Sequence, residues 1–252
     1  MTNQAPTDNQ LIVSASPHIR DIENIPRIMW AVVLSLIPAG IAGTLVFGYY
    51  CLYVVSLSCI TAVVTEAFIL KLRKLPVLSA VKDGSAVVTG ILLAYTLPPS
   101  VPWYVPVVGS FFAIAIVKHT FGGLGNNIWN PALAARAFLQ VAYPAVINSD
   151  WRILQHGVGN FAHNITSVDT EGKLVDAITR ATPLAKEAGA ETYHFAQLFL
   201  GNVPGCIGET SAIALLLGGA YLIYKRYIKW YVPAYYIAAV FIMVLILPSQ
   251  IA

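Results

Sequence analysis

Long apolar runs alternate with short polar loops along most of this chain. The first two runs cover about residues 28–47 and 50–70, and Glu66 is the only charged side chain in them. A helix rises ~1.5 Å per residue, so about 20 apolar residues cross the ~30 Å of hydrocarbon in a bilayer. Both runs therefore predict membrane-spanning helices.

Five further apolar runs are shorter, or are interrupted by glycine and proline. They cover about residues 85–97, 104–117, 131–143, 212–224 and 231–247. Glycine-rich breaks at residues 121–127 and 200–210 must be buried in protein or line a cavity, since lipid offers their backbone no hydrogen bonds. Paired breaks of this kind suggest inverted repeats. The pattern predicts an all-α integral membrane protein, a multi-span helical bundle of about seven spans with inverted repeats and broken helices.

The same pattern divides the chain into four parts. Residues 1–27 form a polar N-terminal segment, and residues 28–143 contain the first five helices. Residues 144–194 form the one long polar segment, and residues 195–252 contain the last two helices. Loops 71–82 and 225–229 are rich in Lys and Arg, which favours their placement in the cytoplasm. The N-terminus is then cytoplasmic and the segment 144–194 extracytoplasmic.

Composition agrees with a membrane protein. The chain is 57% hydrophobic and 11% charged, whereas a soluble domain carries about 25% charged residues. A net charge of only +3 gives no support to a nucleic-acid partner. The three cysteines have no metal-site or disulfide spacing and predict packing thiols. The first residues lack the apolar core of a signal peptide, so the first span is expected to direct insertion.

Some ionisable residues lie within or beside apolar runs. Glu66 is expected to pair with Lys71 near the inner interface, and Lys118 and His119 are expected to face cytoplasmic water. Glu209 precedes a helix start, where the helix dipole favours a carboxylate, and is expected to cap it.

Two features of the apolar region suggest ligand binding. Arg136 lies in mid-helix, where a guanidinium must pair, face a cavity or bind a ligand. The segment 121–127, with Gly122 and Gly123, can present backbone amides to an anion or a flavin edge at a helix N-terminus. A tight bend that lets helices pack closely explains the glycines equally well.

Thr182 lies in the polar segment, in the sequence Asp-Ala-Ile-Thr-Arg-Ala-Thr-Pro-Leu of residues 176–184. A threonine hydroxyl is a weak nucleophile in water, so it needs an external enzyme to become esterified. On its own chemistry the segment fits an ordinary turn.

Several motifs in order resemble the RnfD component of the Rnf electron transport complex, an ion-translocating ferredoxin:NAD oxidoreductase of bacterial membranes. The motifs are Ser16-Pro-His-Ile, Asp83-Gly-Ser-Ala-Val-Val-Thr-Gly, Leu97-Pro-Pro, Phe121-Gly-Gly-Leu-Gly, Asn130-Pro-Ala, Ala181-Thr-Pro-Leu and Gly208-Glu-Thr-Ser. Residues 176–182 are similar to the motif that flavin transferases recognise.

The resemblance implies a flavoprotein. Thr182 would carry FMN as a phosphoester, and the transferase would read Asp176, Thr179 and Ala181. Arg180 stands where the family often has Gly, as does Ala177, and a cation there would favour a phosphate or an anionic flavin. Arg136, Gly122 and Gly123 would line the core, beside a second, non-covalent flavin.

The resemblance also implies partners and a location. The chain would pass electrons in a complex with the A, C, E and G components of the Rnf complex and move Na⁺ or H⁺ across a bacterial inner membrane. It implies no catalytic side chain and no metal ligand in this chain. Family members usually continue with further spans and an Asp-Pro pair, which this sequence lacks, so those spans are expected to be missing.

Two alternatives remain. Asn130-Pro-Ala-Leu and Ala142-Tyr-Pro-Ala also resemble the NqrB component of the Na⁺-translocating NADH:quinone reductase. A flavin-free transporter or channel of similar fold would explain the broken spans but not the sequence around Thr182.

Overall fold

The computed structural model describes residues 24–149, 167–168, 174–175, 199–200, 205–209 and 211–246. Its helices are α1 (Ile25–Phe47), α2 (Tyr50–Leu72), α3 (Val77–Val81), α4 (Ser85–Tyr95), α5 (Tyr104–Phe111), α6 (Pro131–Ala142), α7 (Pro144–Ser149), α8 (Ala212–Tyr224) and α9 (Tyr231–Ile246). A π-helix, Phe112–Lys118, continues α5. Strands β1 (Ser167–Val168) and β2 (Leu174–Val175) form an antiparallel pair.

Each apolar run that the sequence predicts contains a helix, so the helical fold class is confirmed. Helices α1 and α2 are long and apolar enough to cross a membrane by themselves. The other apolar helices are shorter: Ser85–Tyr95, Tyr104–Lys118, Ala212–Tyr224 and Tyr231–Met243. The count of seven spans and the inverted repeats stay predictions.

Helix α1 is the element against which the last part of the chain packs. Ser35, Ala39 and Gly43 are buried and recur every four residues, so they lie on one face of α1. The carbonyl of Ile207 lies against Gly43, where a Cβ atom would come within 2.5 Å of it. In a bilayer no hydrophobic force drives helices together, because lipid is as apolar as their side chains. Small residues stabilise such contacts by letting the backbones approach closely.

Helix α8 is antiparallel to α1. Gly218 of α8 lies directly against the carbonyl of Ser35, which leaves no room for a side chain. Ile207, before α8, meets Gly43 near the other end of α1. The C-terminal end of α8 therefore lies at the same end of the bundle as the start of α1.

A second close contact joins α2 and α4. Gly90 faces the backbone of Cys59, where a Cβ atom would come within 2.8 Å. Ser58 donates a hydrogen bond to the Gly90 carbonyl at 2.8 Å, and its Oγ is 2.8 Å from that of Ser110. Buried hydroxyls that bond across helices satisfy their own polarity and fix the register of the helices.

Basic residues collect at one end of the bundle, which we call the basic end. It comprises the start of α1, the end of α2 with the loop 73–84, the end of the π-helix and the hinge 225–230. Trp30 Nε1 donates to the Lys82 carbonyl at 3.1 Å, and Arg73 Nη2 donates to the His119 carbonyl at 2.8 Å. Arg136 is the only Lys or Arg of the described residues that lies elsewhere. The two basic loops thus share an end, as the sequence predicts, and their cytoplasmic placement stays a prediction.

The contact of Gly218 with Ser35 can be tested by adding one methyl group. We expect Gly218→Ala to destabilise the chain by about 1–3 kcal/mol, because overpacking forces α8 away from α1. The matched control is Gly219→Ala, since no atom lies within 4 Å of a Cβ there. Alanine is the better helix former, so this control should not lower the melting temperature in detergent. Equal melting temperatures for the two variants would contradict the packing.

Candidate functional site

A charged pair is buried inside the bundle near the basic end. Lys118 Nζ lies 2.5 Å from Glu66 Oε1, and the two side chains are 2% and 3% exposed. Lys118 also donates to Ser85 Oγ at 2.6 Å. Removing one partner of such a pair typically costs about 3–5 kcal/mol, because the other charge stays buried without compensation. The pair therefore fixes the relative positions of α2, α4 and the π-helix.

Two more ionisable groups adjoin the pair. His119 Nε2 lies 3.5 Å from Glu66 Oε1. Asp83 Oδ1 accepts hydrogen bonds from Ser85 N and Ser85 Oγ, both at 2.7 Å. The hydroxyl of Ser85 thus connects the Asp83 carboxylate to the Lys118 ammonium. We call these five residues the Glu66 cluster.

The sequence predictions for this cluster are wrong in two respects. Lys118 and His119 do not face water, because they are only 2% and 4% exposed. Glu66 pairs with Lys118 and not with Lys71. The cause is the π-helix, in which His119 N bonds to the Ile114 carbonyl five residues earlier. An extra residue in a turn rotates the following side chains by about 100°, and nothing in the apolar run signals it.

Two polar atoms of the cluster have no hydrogen-bond partner in the part of the chain that the structure describes. They are Glu66 Oε2 and His119 Nε2, and both are buried. A buried polar atom is usually satisfied, so each such atom needs an explanation. A carboxylate oxygen with unused lone pairs can accept a proton or coordinate a monovalent cation.

Arg136 lies on α6, half-buried, on the inner part of the bundle. Its Nη1 is buried and has no hydrogen-bond partner among the described residues. The described residues thus leave this guanidinium nitrogen without a partner, and its ligand stays a prediction.

The turn of residues 205–209 lies against the end of α4. Ile207 N and Gly208 N donate to the carbonyls of Leu97 and Tyr95, at 3.2 and 3.0 Å. Cys206 Sγ lies 3.1 Å from the Thr96 carbonyl. Three carbonyls that the end of α4 leaves unpaired are satisfied in this way. Residues 205–209 therefore attach the start of α8 to the end of α4 through direct hydrogen bonds.

Glu209 does not cap α8. The side chain that accepts from the first turn is Ser211, whose Oγ lies 3.4 Å from Ala214 N. Glu209 lies two residues before this N-cap and is exposed. Serine is the better cap because its short side chain reaches the amides of the first turn directly. The three cysteines are unpaired thiols, as the sequence predicts.

The glycine loop at residues 121–127 does not present free amides at Gly122 and Gly123. Gly122 N donates to the His119 carbonyl at 3.3 Å, and Gly123 N donates to the Lys118 carbonyl at 3.0 Å. Their φ angles of 112° and 96° favour glycine, so both residues close the end of the π-helix. The amides of these two residues are therefore not free for a ligand, and a flavin contact by Gly122 and Gly123 stays a prediction.

Helix α6 begins beyond this loop, with its own cap. Asn130 Oδ1 accepts from Ala132 N at 3.0 Å, and Pro131 occupies the first turn. Asn127 Oδ1 is buried and has no partner in the described ranges.

The predicted FMN attachment site lies outside the described residues. This applies to Asp176, Thr179, Arg180, Ala181 and Thr182. Their roles stay predictions. The Glu66 cluster, by contrast, is a feature that the sequence did not predict. Two opposite charges within apolar runs were the only signal for it, since ionisable residues at membrane depth usually pair.

Comparisons with known proteins agree on one family. The model of the NQR2, RnfD, RnfE family matches residues 12–251. The chain is 46% identical over 241 residues to the D component of the Na(+)-translocating ferredoxin:NAD(+) oxidoreductase complex of Acetobacterium woodii, covering 94% of this chain and 69% of that protein. It is 42% identical over 246 residues to the D component of the proton-translocating ferredoxin:NAD(+) oxidoreductase complex of Clostridium ljungdahlii, covering 93% and 69%.

A third relative is more distant. It is the D component of the ion-translocating oxidoreductase complex of Aliivibrio salmonicida, which is 35% identical over 254 residues. The match covers 92% of this chain and 71% of that protein. These relatives are therefore longer than this chain, and the named coupling ions of the first two differ.

Proposed function

The chain belongs to the NQR2, RnfD, RnfE family, and on that basis we propose that it is a flavin-carrying membrane subunit of an ion-translocating ferredoxin:NAD⁺ oxidoreductase. The names of the relatives support this complex. The proposed partners are the other subunits of such a complex. Since similar relatives are named for H⁺ and for Na⁺, the identity of the coupling ion is open.

The Glu66 cluster is the observation that supports ion transport in this proposal. An ion path through an apolar bundle needs a group that binds a cation and a means to release it. Glu66 offers one oxygen to Lys118 and has a second with no partner among the described residues. The Lys118 ammonium balances the carboxylate while the site is empty. A proton or cation that arrives at Oε2 competes with that ammonium, which weakens binding enough for release.

We expect Glu66→Gln to reduce redox-driven ion uptake by at least about tenfold in vesicles that contain the assembled complex, because an amide binds neither a proton nor a cation strongly. This variant leaves Lys118 buried without its partner, so it is also expected to be less stable. The double variant Glu66→Gln/Lys118→Met should recover stability without recovering transport.

Two controls make this result specific. Glu209→Gln removes an exposed carboxylate at the opposite end of α8 and should leave uptake unchanged. NADH-dependent ferredoxin reduction reports whether electron transfer is intact. Normal coupled uptake in the stable double variant would remove Glu66 from the ion path while leaving the membership in the complex untouched.

The redox part of the proposal rests on Thr182. Its hydroxyl oxygen would be esterified to the phosphate of FMN by a flavin transferase that reads Asp176, Thr179 and Ala181. A flavin exchanges electrons singly, which suits a protein placed between one-electron and two-electron carriers. The polar segment 144–194, with Arg180 beside the attachment point, would hold this group on the extracytoplasmic side of the bacterial inner membrane.

We expect the chain, expressed with a flavin transferase, to remain fluorescent on a denaturing gel. Thr182→Val should abolish that fluorescence, because Thr182 carries the one hydroxyl at the acceptor position of the motif. Thr192→Val is the matched control, since it removes the same hydroxyl from the same segment outside the motif. A dark wild-type band, or equal loss in both variants, would rule out covalent flavin at Thr182. It would also revive the alternative of a flavin-free transporter.

A second, non-covalent flavin is the remaining part of the proposal. The buried Nη1 of Arg136 and the buried Oδ1 of Asn127 each lack a hydrogen-bond partner among the described residues. A flavin ring carries both acceptors and a donor at its polar edge. Arg136 would hold an acceptor or an anionic form of the ring, since a guanidinium is always charged.

The Thr182→Val chain offers a clean test, since any flavin that it retains is non-covalent. We expect Arg136→Met to reduce the flavin extracted from that background by about tenfold, which corresponds to the loss of one charge-assisted hydrogen bond. Lys82→Met removes an exposed cation at the basic end and should have no effect. Equal flavin content in the Arg136→Met chain would show that the guanidinium does not contact it.

A further inference from the structure

The hinge between α8 and α9 has three exposed cations within five residues. They are Lys225, Arg226 and Lys229, and they lie at the basic end. None of the acidic residues that the structure describes is available to them. Glu66 is buried with Lys118, Asp83 is bonded to Ser85, and Glu209 lies at the far end of α8, ~20 Å away at ~1.5 Å per residue.

The backbone at this hinge holds Arg226 in a conformation that normally belongs to glycine. Its φ is 60°, and Tyr227 N bonds to the Leu222 carbonyl at 3.1 Å, which closes the helix. Glycine or asparagine is the usual residue at this position, because a larger side chain is strained there. A cation at this position therefore carries backbone strain that glycine would avoid.

The end of α2 repeats this arrangement. Lys74 has a φ of 56°, and Leu75 N bonds to the Leu70 carbonyl at 3.0 Å. These two cations are the only non-glycine residues with positive φ in the described part of the chain. Attraction to a helix C-terminus accounts for a cation nearby, but it does not require that the cation occupy the strained position.

Exposed aromatic side chains flank the hinge, as is typical of segments at a membrane surface. Tyr224 and Trp230 are 82% and 70% exposed. Lys229 Nζ lies 5.8 Å from the ring centre of Tyr231, whose ring meets that of Trp230 edge-on. Tyrosine and tryptophan collect at the depth of lipid headgroups, where one side of the ring is apolar and the other is hydrated. We therefore expect the three cations at the depth of lipid phosphates.

We propose that the hinge 225–230 is a binding site for the phosphate of an anionic phospholipid. The Arg226 guanidinium can bind two phosphate oxygens at once, and Lys225 and Lys229 add positive charge on either side. This site is independent of the flavin and ion-path proposals.

The full chain in vesicles tests this site. Native mass spectrometry after release from vesicles of phosphatidylcholine and phosphatidylglycerol reports which lipid is retained. We expect the chain to retain phosphatidylglycerol in preference to phosphatidylcholine. Removing any one of the three hinge cations should lower that preference about fivefold. Arg226→Gly is the informative variant, because it removes the guanidinium and relieves the strain. It should lose lipid preference while melting no lower than the wild type in pure phosphatidylcholine.

Lys74→Gly is the matched control, with the same strain relief at another cation of the same end. It should keep the preference. Equal loss in both variants would show a diffuse surface charge and overturn the site. Competition by inorganic phosphate as effective as that by lipid would assign the hinge to free anions, which also overturns it. Loss of the lipid preference in the assembled complex would show that an acidic partner protein covers the hinge. That result would also overturn the proposed lipid site.

Discussion

The contact between Lys118 and Glu66 constrains the rest of this structure more than any other. Two charges taken out of water are unfavourable unless their geometry is good and their other lone pairs and protons are satisfied. Three helical elements must therefore arrive at one point, α2 with Glu66, the start of α4 with Ser85 and the π-helix with Lys118. Apolar packing alone would allow these helices to slide, since one leucine surface fits another almost equally well. The polar contact selects one register.

That register is compatible with close packing only because small residues occupy the crossings. Gly90 lets α4 reach the backbone of α2 at Cys59, and Gly43 and Gly218 let the turn 205–209 and α8 reach α1. Serine hydroxyls add hydrogen bonds at the same crossings, as Ser58 does to the Gly90 carbonyl. The bundle is thus held by van der Waals contact and specific polar contacts, which is what a medium as apolar as the side chains themselves requires.

The helices were predictable because their signals are local. Apolar runs of the right length, Pro131 after Asn130, and the Lys and Arg residues at loop ends each report on a few neighbouring residues. The Glu66 cluster was not predictable, because Lys118 reaches Glu66 across 52 residues and only after the π-helix rotates it inward. The occupied amides of Gly122 and Gly123 show the same limit. A glycine pattern reveals backbone freedom, but not which carbonyl the amide will meet.

Helix α4 connects the two places where the structure is most tightly specified. Its first residue, Ser85, bonds to Lys118 and Asp83, and its last, Tyr95, accepts from Gly208 in the turn before α8. The Tyr95 hydroxyl also donates to the Leu36 carbonyl of α1 at 2.8 Å. A rigid helix of 11 residues, about 16 Å long, transmits a displacement along its axis from one end to the other. Any shift of α4 that opens the Lys118 contact must therefore strain the junction with 205–209. The proposed ion site at Glu66 and the packing of residues 205–209 on α1 are therefore connected through this one short helix.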